Sequence, residues 1–361
     1  MESVNVGIIG CGQFSSYHIR ELCKFPDVRL VAVCSRNKEN ALKSVELIHE
    51  HGKKQRPEKI AIYTDYHEMV RFPAIDAVTV CTPPPAHAQP MIAAAKAGKH
   101  VFCEGPMAVD LEQCDAMIAT ARSQRIRFTV QHTNRFNKNV YMAKKTLSDG
   151  LLGKVLMAKM DFIAPSGLRP EDHIAHVHWR LSKQGSGGGI LFHAGRYAID
   201  TFLWLMGDVH EVYGKMESFS HGSEVEDCAS ATLNFSNGAI GQMFLMGLAP
   251  PGVLRSPFYQ IEILATKAVL TVIPEWSVKS DNEDFTYELN EKLSLESSGP
   301  CDGWASQLRD WIDAIKAGKE PLFPCESFRS QVELARALYK SVAINVPVQL
   351  PLQKDDSFYS F

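Results

Sequence analysis

The sequence predicts a two-domain chain of the α/β class, with a doubly wound parallel sheet first and an α+β domain with a large, mainly antiparallel open sheet after it. Apolar, β-branched runs alternate with helix-like segments over the first 130 residues, which is typical of strands joined by crossover helices. After about residue 150, strand-like segments follow one another with turn signals and almost no helix between them, which favours antiparallel pairing. The length of 361 residues also exceeds one average domain.

The first domain is assigned to residues 1–130. Its strand signals are continuously apolar, as expected for strands covered on both faces, and they lie at 4–9, 30–34, 77–81, 100–103 and 128–131. The helix signals between them lie at 17–24, 39–51, 66–70, 88–97 and 111–123. The strands are therefore expected to be parallel and joined by right-handed crossovers.

The second domain is assigned to residues 131–350, and a tail to 351–361. Its strand signals lie at 156–163, 209–218, 229–234, 239–245, 259–264 and 268–272. Several of them alternate polar and apolar residues, which predicts one buried face and one face that is solvated or covered by a partner. A helix is expected near 190–206, and late helices at 304–317 and 330–341 are expected to return and pack on the first domain.

The composition argues against several classes of protein. The formal net charge is −3 and no strongly basic stretch stands out, so nucleic-acid binding is not expected. The sequence has no run of about 18 apolar residues, so no membrane span is expected either. A strand signal starts at residue 4 and nine cysteines are scattered along the chain. We therefore expect no secretion signal, reduced thiols and a cytoplasmic location.

Gly10-Cys11-Gly12 is the most informative motif, because it lies between an apolar strand signal and a helix signal. Gly10 permits a tight turn, and Gly12 lets the backbone approach a pyrophosphate whose charge lies at the positive end of the next helix. Ser15 takes the place of the usual third glycine and is small enough for close helix–strand packing. The motif predicts a bound dinucleotide; the alternative is a glycine-rich turn with no ligand.

The end of the second strand signal bears on the choice between NAD and NADP. An acidic residue at this place binds the ribose 2′-hydroxyl, whereas an arginine accommodates a 2′-phosphate. Here the strand at 30–34 runs into Ser35 and Arg36, with no Asp or Glu directly after it. This favours NADP over NAD as the NAD(P) cofactor; the alternative is that Arg36 is an exposed residue at the start of a helix.

Several further segments form a recognisable series together with the glycine turn. They are Cys81-Thr82-Pro83, Glu104-Gly105-Pro106, His178-Trp179-Arg180 and His193-Ala194-Gly195-Arg196-Tyr197. The series resembles the Gfo/Idh/MocA family, the relatives of glucose–fructose oxidoreductase and inositol dehydrogenase, over residues 4–350. The resemblance implies a Rossmann domain, then a domain whose open sheet commonly forms a dimer or tetramer interface. It also implies hydride transfer between nicotinamide and a sugar, glycoside or polyol.

Carried over by position, the resemblance implies a set of residues for each ligand. The cofactor residues would be Gly10, Gly12, Gln13, Phe14, Ser35, Arg36, Thr82, Pro83, His87 and Glu104. On the substrate side would lie His178, Arg180, Asn134 and Arg135. For Asn134 and Arg135 the alternative is an inter-domain salt bridge.

This chain departs from the family pattern at two places. The family has Glu-Lys-Pro where this sequence has Gly105 in place of the lysine, and Asp-x-Gly-x-His where this sequence has His193 and Tyr197 at the first and last positions. Residues four apart on a helix share a face. Histidine titrates near neutrality, so we predict His193 as the acid/base, with Tyr197 holding or relaying the proton. The alternative is that His193 caps or packs the start of the helix.

A histidine cluster precedes this helix. His173, His176 and His178 follow Asp172 closely enough to hold a divalent metal. A polar substrate loop explains the same residues, and no metal is predicted.

Three functions fit the sequence. The first is an oxidoreductase acting on a sugar, glycoside or polyol. The second is a glycosidase or lyase that uses a tightly bound NAD(P) for transient oxidation without net redox change; the absence of the family lysine makes it attractive. The third is a cofactor-binding protein with little activity.

Overall fold

The computed structural model describes residues 3–52, 59–164, 178–220, 222–248, 258–273, 276–282 and 303–361. The chain divides into two compact units. Unit 1 comprises Met1–Gln131 and Trp304–Arg329, and unit 2 comprises His132–Gly303 and Ser330–Phe361. The chain therefore leaves the first unit near residue 131, returns to it for one late helix, and ends in the second.

Unit 1 is built on a six-stranded parallel sheet. Its strands are β1 (Val4–Ile9), β2 (Val28–Cys34), β3 (Ala61–Tyr63), β4 (Ala77–Val80), β5 (His100–Cys103) and β6 (Phe128–Val130). The helices between them are α1 (Gln13–Leu22), α2 (Lys38–His51), α3 (Tyr66–Val70), α4 (Ala88–Lys96) and α5 (Leu111–Ser123). The strand order is β3-β2-β1-β4-β5-β6, and every neighbouring pair is parallel. The predicted doubly wound fold is confirmed.

The topology of this sheet fixes where a ligand can bind. β1 lies between β2 and β4, so the chain order reverses direction at its carboxyl end. In open α/β sheets the crevice at such a reversal is the ligand site. β3 was not predicted; it has three residues, and its Ile62 is exposed, so it lacks the apolar run that marked the other strands.

Unit 2 contains an eight-stranded sheet. Its strands are β7 (Val155–Ile163), β8 (Val209–Glu217), β9 (Cys228–Phe235), β10 (Ile240–Met246), β11 (Phe258–Ala265), β12 (Val269–Ile273), β13 (Ser277–Lys279) and β14 (Val348–Gln349). They follow the order β13-β12-β11-β7-β10-β9-β8-β14. Within this second sheet, the pairing of β10 with β7 is the only parallel one among the described strands. The expectation of a large, mainly antiparallel sheet is confirmed.

Helices cover one face of this sheet. The unit's helices are α6 (Lys138–Ser148), α7 (Lys183–Ser186), α8 (Gly195–Met206) and α10 (Arg329–Ile344), while α9 (Gly303–Ala317) lies almost wholly in unit 1. Phe202 of α8 contacts Phe235 of β9, with ring centroids 5.6 Å apart. Burial alternates along β9, as expected when one face is covered.

The two late helices belong to different units, whereas both were expected to pack on the first domain. Trp311 of α9 is fully buried in unit 1, with its ring 5.6 Å from Phe102 of β5. α10 instead packs within unit 2, because Leu338 lies against Gly214 of β8. The tail is ordered against α10, where Arg336 donates hydrogen bonds to the carbonyl oxygens of Phe358 and Ser360.

Two expectations from composition can be compared with the described residues. None of their helices is long and apolar enough to cross a membrane. The eight cysteines among them form no disulfide bond.

Candidate functional site

The glycine turn after β1 uses its two glycines for different reasons. Gly10 has φ +92°, and a Cβ there would lie 2.8 Å from the carbonyl carbon of Cys81; both facts require glycine. Gly12 has φ −93°, which any residue adopts, and a Cβ there would meet no atom within 4 Å. Nothing inside the described chain therefore demands glycine at position 12, and the open space beside it fits the close approach of a ligand.

The N-terminus of α1 is left ready for an anion. Gly12 is its N-cap and supplies no side-chain cap, and the first turn holds no acidic residue. In contrast, Asn37 caps α2 and Asp110 caps α5. Uncapped amides and the helix dipole together favour negative charge. Ser15 is buried and its hydroxyl donates to the Gly12 carbonyl oxygen at 2.6 Å, while Gln13 is exposed and Phe14 half-buried.

These observations fit the pyrophosphate of a dinucleotide cofactor. The exposed Gly12, the start of α1 at Gln13 without a side-chain cap from Gly12, and the sheet reversal at β1 coincide. This combination is the phosphate-binding arrangement of the Rossmann fold.

The end of β2 presents the polar residues expected from the sequence. The amide of Ser35 donates to the Tyr63 carbonyl oxygen at 3.0 Å, and the Ser35 hydroxyl oxygen accepts from the amide of Asn37 at 3.2 Å. Arg36 is exposed. The segment directly after β2 thus offers a cation and a hydroxyl, without a carboxylate.

His87 connects the loops that follow β4 and β5. It is fully buried, with Nε2 2.7 Å from the carbonyl oxygen of Thr82 and Nδ1 2.9 Å from that of Pro106. Thr82 and Pro83 are half-buried beside it, and the Thr82 hydroxyl donates to the Ala86 carbonyl oxygen at 2.8 Å. Its contacts make His87 a residue that positions both loops.

His18 is a buried residue that the sequence reasoning missed. Its Nε2 lies 2.6 Å from Oε1 of Glu104, and its ring meets those of Phe102 and Trp304 edge-on. Burial alone lowers an imidazole pKa, but Cys81 and Glu104 beside His18 outweigh burial and raise its pKa to about 10. His18 therefore holds a proton and pairs with the Glu104 carboxylate. The separation of 86 residues leaves no local pattern that could have shown the pair.

In unit 2, His193 lies just before α8. Its Nε2 is 3.3 Å from the carbonyl oxygen of Arg180. Because a carbonyl only accepts, Nε2 carries the hydrogen and Nδ1 keeps the basic lone pair. Burial, the Arg180 cation and then the Arg196 cation lower the pKa of His193 to about 3. The imidazole is therefore neutral across the physiological pH range.

Tyr197 lies one turn further on and contacts a cation. Arg196 donates from Nη2 to the Tyr197 hydroxyl oxygen at 2.7 Å, and its guanidinium carbon lies 3.9 Å from the centroid of the Tyr197 ring. Arg196 also donates to the His193 carbonyl oxygen at 3.2 Å. A guanidinium donor stabilises a phenolate more than a phenol, because the charges are opposite. The arrangement therefore suits a phenol that takes up and releases a proton.

The structure gives Asn134 and Arg135 hydrogen-bond partners in α8. Arg135 is 2% exposed and holds Asp200 of α8 through two hydrogen bonds of 2.8 and 2.6 Å. Asn134 donates to the Thr201 hydroxyl oxygen at 3.2 Å. Both ends of the ion pair belong to unit 2, so it is not inter-domain. The guanidinium group of Arg135 points at α8 because the buried Asp200 carboxylate needs a paired cation.

The remaining predicted residues lie at the edge of the described chain. His173 and His176 fall outside the described residues, and of His178 only the backbone is described, in the 3-10 turn His178–Leu181. Arg180 is half-buried, with its guanidinium 5.4 Å from the Trp179 ring. Among the described residues, no group of three or more His, Cys, Asp or Glu side chains is placed to hold a metal ion.

The two halves of the chain match models of the same protein family. Residues 4–132 match the model of the oxidoreductase family with an NAD-binding Rossmann fold, and residues 140–271 match the GFO/IDH/MocA C-terminal domain. Myo-inositol 2-dehydrogenase of Thermotoga maritima is 26% identical over 96% of this chain and 98% of its own.

Two further relatives differ in the chemistry that their names describe. The 2,7-anhydro-N-acetylneuraminate hydratase of Mediterraneibacter gnavus is 30% identical over 58% of this chain and 51% of its own. The WlbA dehydrogenase of Bordetella pertussis, solved with NADH and UDP-GlcNAcA, has a TM-score of 0.81 and 25% identity, with 98% of this chain and 99% of that chain covered.

Proposed function

The chain belongs to the Gfo/Idh/MocA family of oxidoreductases, and we propose that it transfers a hydride between NAD(P) and a hydroxyl or keto carbon of a sugar, glycoside or polyol. The observation that carries the proposal is the exposed Gly12 beside the uncapped N-terminus of α1, which suits a dinucleotide pyrophosphate. When bound, the nicotinamide supplies the hydride acceptor or donor. The protein then has to supply cofactor binding and a group for the hydroxyl proton.

Unit 1 supplies cofactor binding in this proposal. The amides at the start of α1 and the Gly10–Gly12 turn hold the pyrophosphate, and Ser35 and Arg36 receive the adenosine ribose. We infer a preference for NADP, since Arg36 is exposed and no carboxylate directly follows β2 to meet a ribose 2′-hydroxyl. His87 and the His18–Glu104 pair keep the loops after β4 and β5 in place.

In this proposal unit 2 supplies proton transfer, and we assign roles to His193 and Tyr197 that differ from those predicted from the sequence. His193, with a pKa lowered to about 3, has little driving force to accept a proton near neutrality. The Tyr197 hydroxyl oxygen accepts a hydrogen bond from the Arg196 guanidinium, which would stabilise negative charge that forms on that oxygen during proton transfer. We therefore assign proton transfer to Tyr197 and a neutral hydrogen-bond acceptor at Nδ1 to His193.

The test is a panel of sugars, polyols and glycosides with NAD and NADP, followed by the near-ultraviolet absorbance of NAD(P)H. The proposal expects net cofactor reduction with at least one polyol or sugar. A second candidate, transient oxidation without net redox change, is favoured by Gly105 in place of the family lysine and by the hydratase relative. Release of an aglycone without NAD(P)H would establish that candidate. Cofactor binding without any turnover would leave only a binding function.

We also propose that two or four copies associate through the face of the eight-stranded sheet that carries Ile240 and Leu264. Met157 of β7 lies directly opposite Ile240 of β10 and Leu264 of β11, and directly opposed residues share a face. Ile240 and Leu264 are 50% and 43% exposed. An Ile240→Lys, Leu264→Lys double variant should therefore be monomeric by light scattering. An unchanged mass would contradict self-association through this face.

A further inference from the structure

The segment that carries His193 makes backbone hydrogen bonds to one buried glutamate, Glu226. Glu226, next to β9, accepts from the amide of Gly189 at 2.9 Å through Oε2 and from the amide of Leu191 at 3.1 Å through Oε1. The amide of Ile190, between them, donates to the backbone carbonyl oxygen of Glu226 at 2.9 Å. Three consecutive amides thus end on one residue. The amide of His193 in turn donates to the Gly189 carbonyl oxygen at 3.0 Å.

Tyr339 of α10 completes this arrangement. Its hydroxyl donates to Oε2 of Glu226 at 2.8 Å, and its ring stacks on Phe192, with centroids 6.1 Å apart. The contacts also explain two glycines of the sequence. A Cβ on Gly188 would lie 2.2 Å from the Tyr339 hydroxyl oxygen, and a Cβ on Gly189 would lie 1.7 Å from the Glu226 carbonyl oxygen.

The described hydrogen-bond partners of the Glu226 carboxyl group are all donors. Its side chain is buried, and its hydrogen-bond partners among the described residues are two amides and a phenol, with no cation. Burial raises the pKa of Glu226, and the three donors oppose that rise. A buried acid is costly for stability, and a core residue with an apolar side chain would leave the amides of Gly189 and Leu191 without an acceptor.

We propose that Glu226, supported by Tyr339, is a positioning residue that fixes His193 and the start of α8, and through it Tyr197. The inference rests on the proposed function, since it gives Glu226 a role in that same proton transfer. Glu226 touches the backbone of 189–191 and no reacting atom. Its effect on the rate comes from orientation, where errors of about 1 Å are enough to cost about 100-fold.

The test compares Glu226→Gln and Tyr339→Phe with Glu224→Gln as a matched control. Glu224 is exposed, and among the described residues its carboxylate accepts from the amide of Lys183, at 3.2 Å. In Glu226→Gln an NH₂ group, which donates, replaces one carboxylate oxygen and faces groups that also donate. The lost hydrogen bonding should misplace the segment and lower kcat by at least about tenfold. Tyr339→Phe leaves both amide contacts and should lower kcat by about threefold. KM for the cofactor should stay within about twofold in all three variants, and Glu224→Gln should match the wild type.

Hydrogen–deuterium exchange separates this inference from the proposed function. The amides of 189–191 should exchange at least about tenfold faster in Glu226→Gln than in the wild type, whether or not a substrate has been found. Unchanged exchange, or a kcat within about twofold of the wild type, would overturn the positioning role. If the wild type turns over no substrate while exchange rises in Glu226→Gln, the proposed function fails and the role of Glu226 in holding this segment stands.

Discussion

His18 in unit 1 and His193 in unit 2 are both buried, yet their surroundings are opposite. His18 faces the Glu104 carboxylate, and its pKa is raised to about 10. His193 faces a backbone carbonyl and two arginines, and its pKa is lowered to about 3. Residue type alone therefore does not tell a general base from a structural cation, because the partners decide the protonation state.

The same contrast extends to the two units as a whole. In unit 1 the glycine turn, the uncapped helix and the sheet reversal match the pattern of a dinucleotide site. In unit 2, Tyr197 and His193 lie where the resembled family pattern has histidine and aspartate. The proposed cofactor site therefore follows the common pattern, whereas the proposed proton-transfer site departs from it.

The largest expected effect is on the proton-transfer residue. Tyr197→Phe should lower kcat by about 10²–10⁴-fold, the usual contribution of general acid–base catalysis. His193→Ala should lower it by about tenfold or less, because a neutral imidazole contributes a hydrogen bond rather than a proton. Steady-state kinetics on one substrate checks both, with Tyr213→Phe, a half-buried tyrosine of β8 bonded to Asn345, as the control. A larger loss in His193→Ala than in Tyr197→Phe would restore His193 as the acid/base.

The next effect concerns the two glycines of the turn. Gly12→Val should weaken cofactor binding by about 100-fold, since a side chain would occupy the pyrophosphate space. Its thermal midpoint should hardly change, because a Cβ at this position meets no atom within 4 Å. Gly10→Val should instead lower the thermal midpoint, through its positive φ and the contact with Cys81. Calorimetric titration and thermal melting measure the two properties. Equal loss of stability in both variants would remove the argument for a ligand at Gly12.

Stability should depend on pH in opposite directions in the two units. The folded state keeps the His18 proton that the unfolded chain releases above its ordinary pKa of 6.5. This stabilisation is therefore complete below pH 6.5 and is lost as the pH rises through about 10. His193 stays neutral when folded, so stability falls as the pH drops from 6.5 towards about 3.

Thermal melting across this pH range checks both signs. His18→Gln should flatten the alkaline side of the profile, and His193→Gln should flatten the acid side. Profiles with the wild-type slopes in both variants would show that neither histidine has a shifted pKa.

The smallest expected effect is on the preference for NADP over NAD. Arg36→Ala should raise the Kd for NADP by about tenfold, the loss of one exposed charge-assisted contact, and should leave NAD nearly unchanged. Arg71→Ala removes an exposed arginine elsewhere in unit 1 and serves as the control. Parallel titrations with both nucleotides give the ratio. Equal losses for NADP and NAD would argue against a phosphate at Arg36.

Local patterns gave most of the fold. The bounds of β1, β5, α3 and α5 agree with the predicted 4–9, 100–103, 66–70 and 111–123, because continuous apolar runs and Asp or Asn caps mark them in the sequence. α6 was missed; its Lys138–Ser148 segment carries adjacent lysines and only a few buried positions. Motifs nominated residues for each proposed half-site, but they could not show the partners of those residues.

The sequence could not show contacts between residues that lie far apart along the chain. Glu226 contacts Tyr339 across 113 residues, and Arg135 contacts Asp200 across 65. No periodicity links such positions, so the sequence could not show that the Arg135 guanidinium holds Asp200 of α8. The pKa of His193 likewise depends on Arg180 and Arg196 folding around it.

The division of labour between the units is tested most directly by measuring cofactor Kd and the single-turnover rate of hydride transfer together, on Gly12→Val and Tyr197→Phe. We predict that Gly12→Val loses cofactor binding by about 100-fold. Tyr197→Phe should bind the cofactor like the wild type and transfer hydride at least about 100-fold more slowly. Cofactor affinity that survives in Gly12→Val, or a Tyr197→Phe rate within about fivefold of the wild type, would contradict the account.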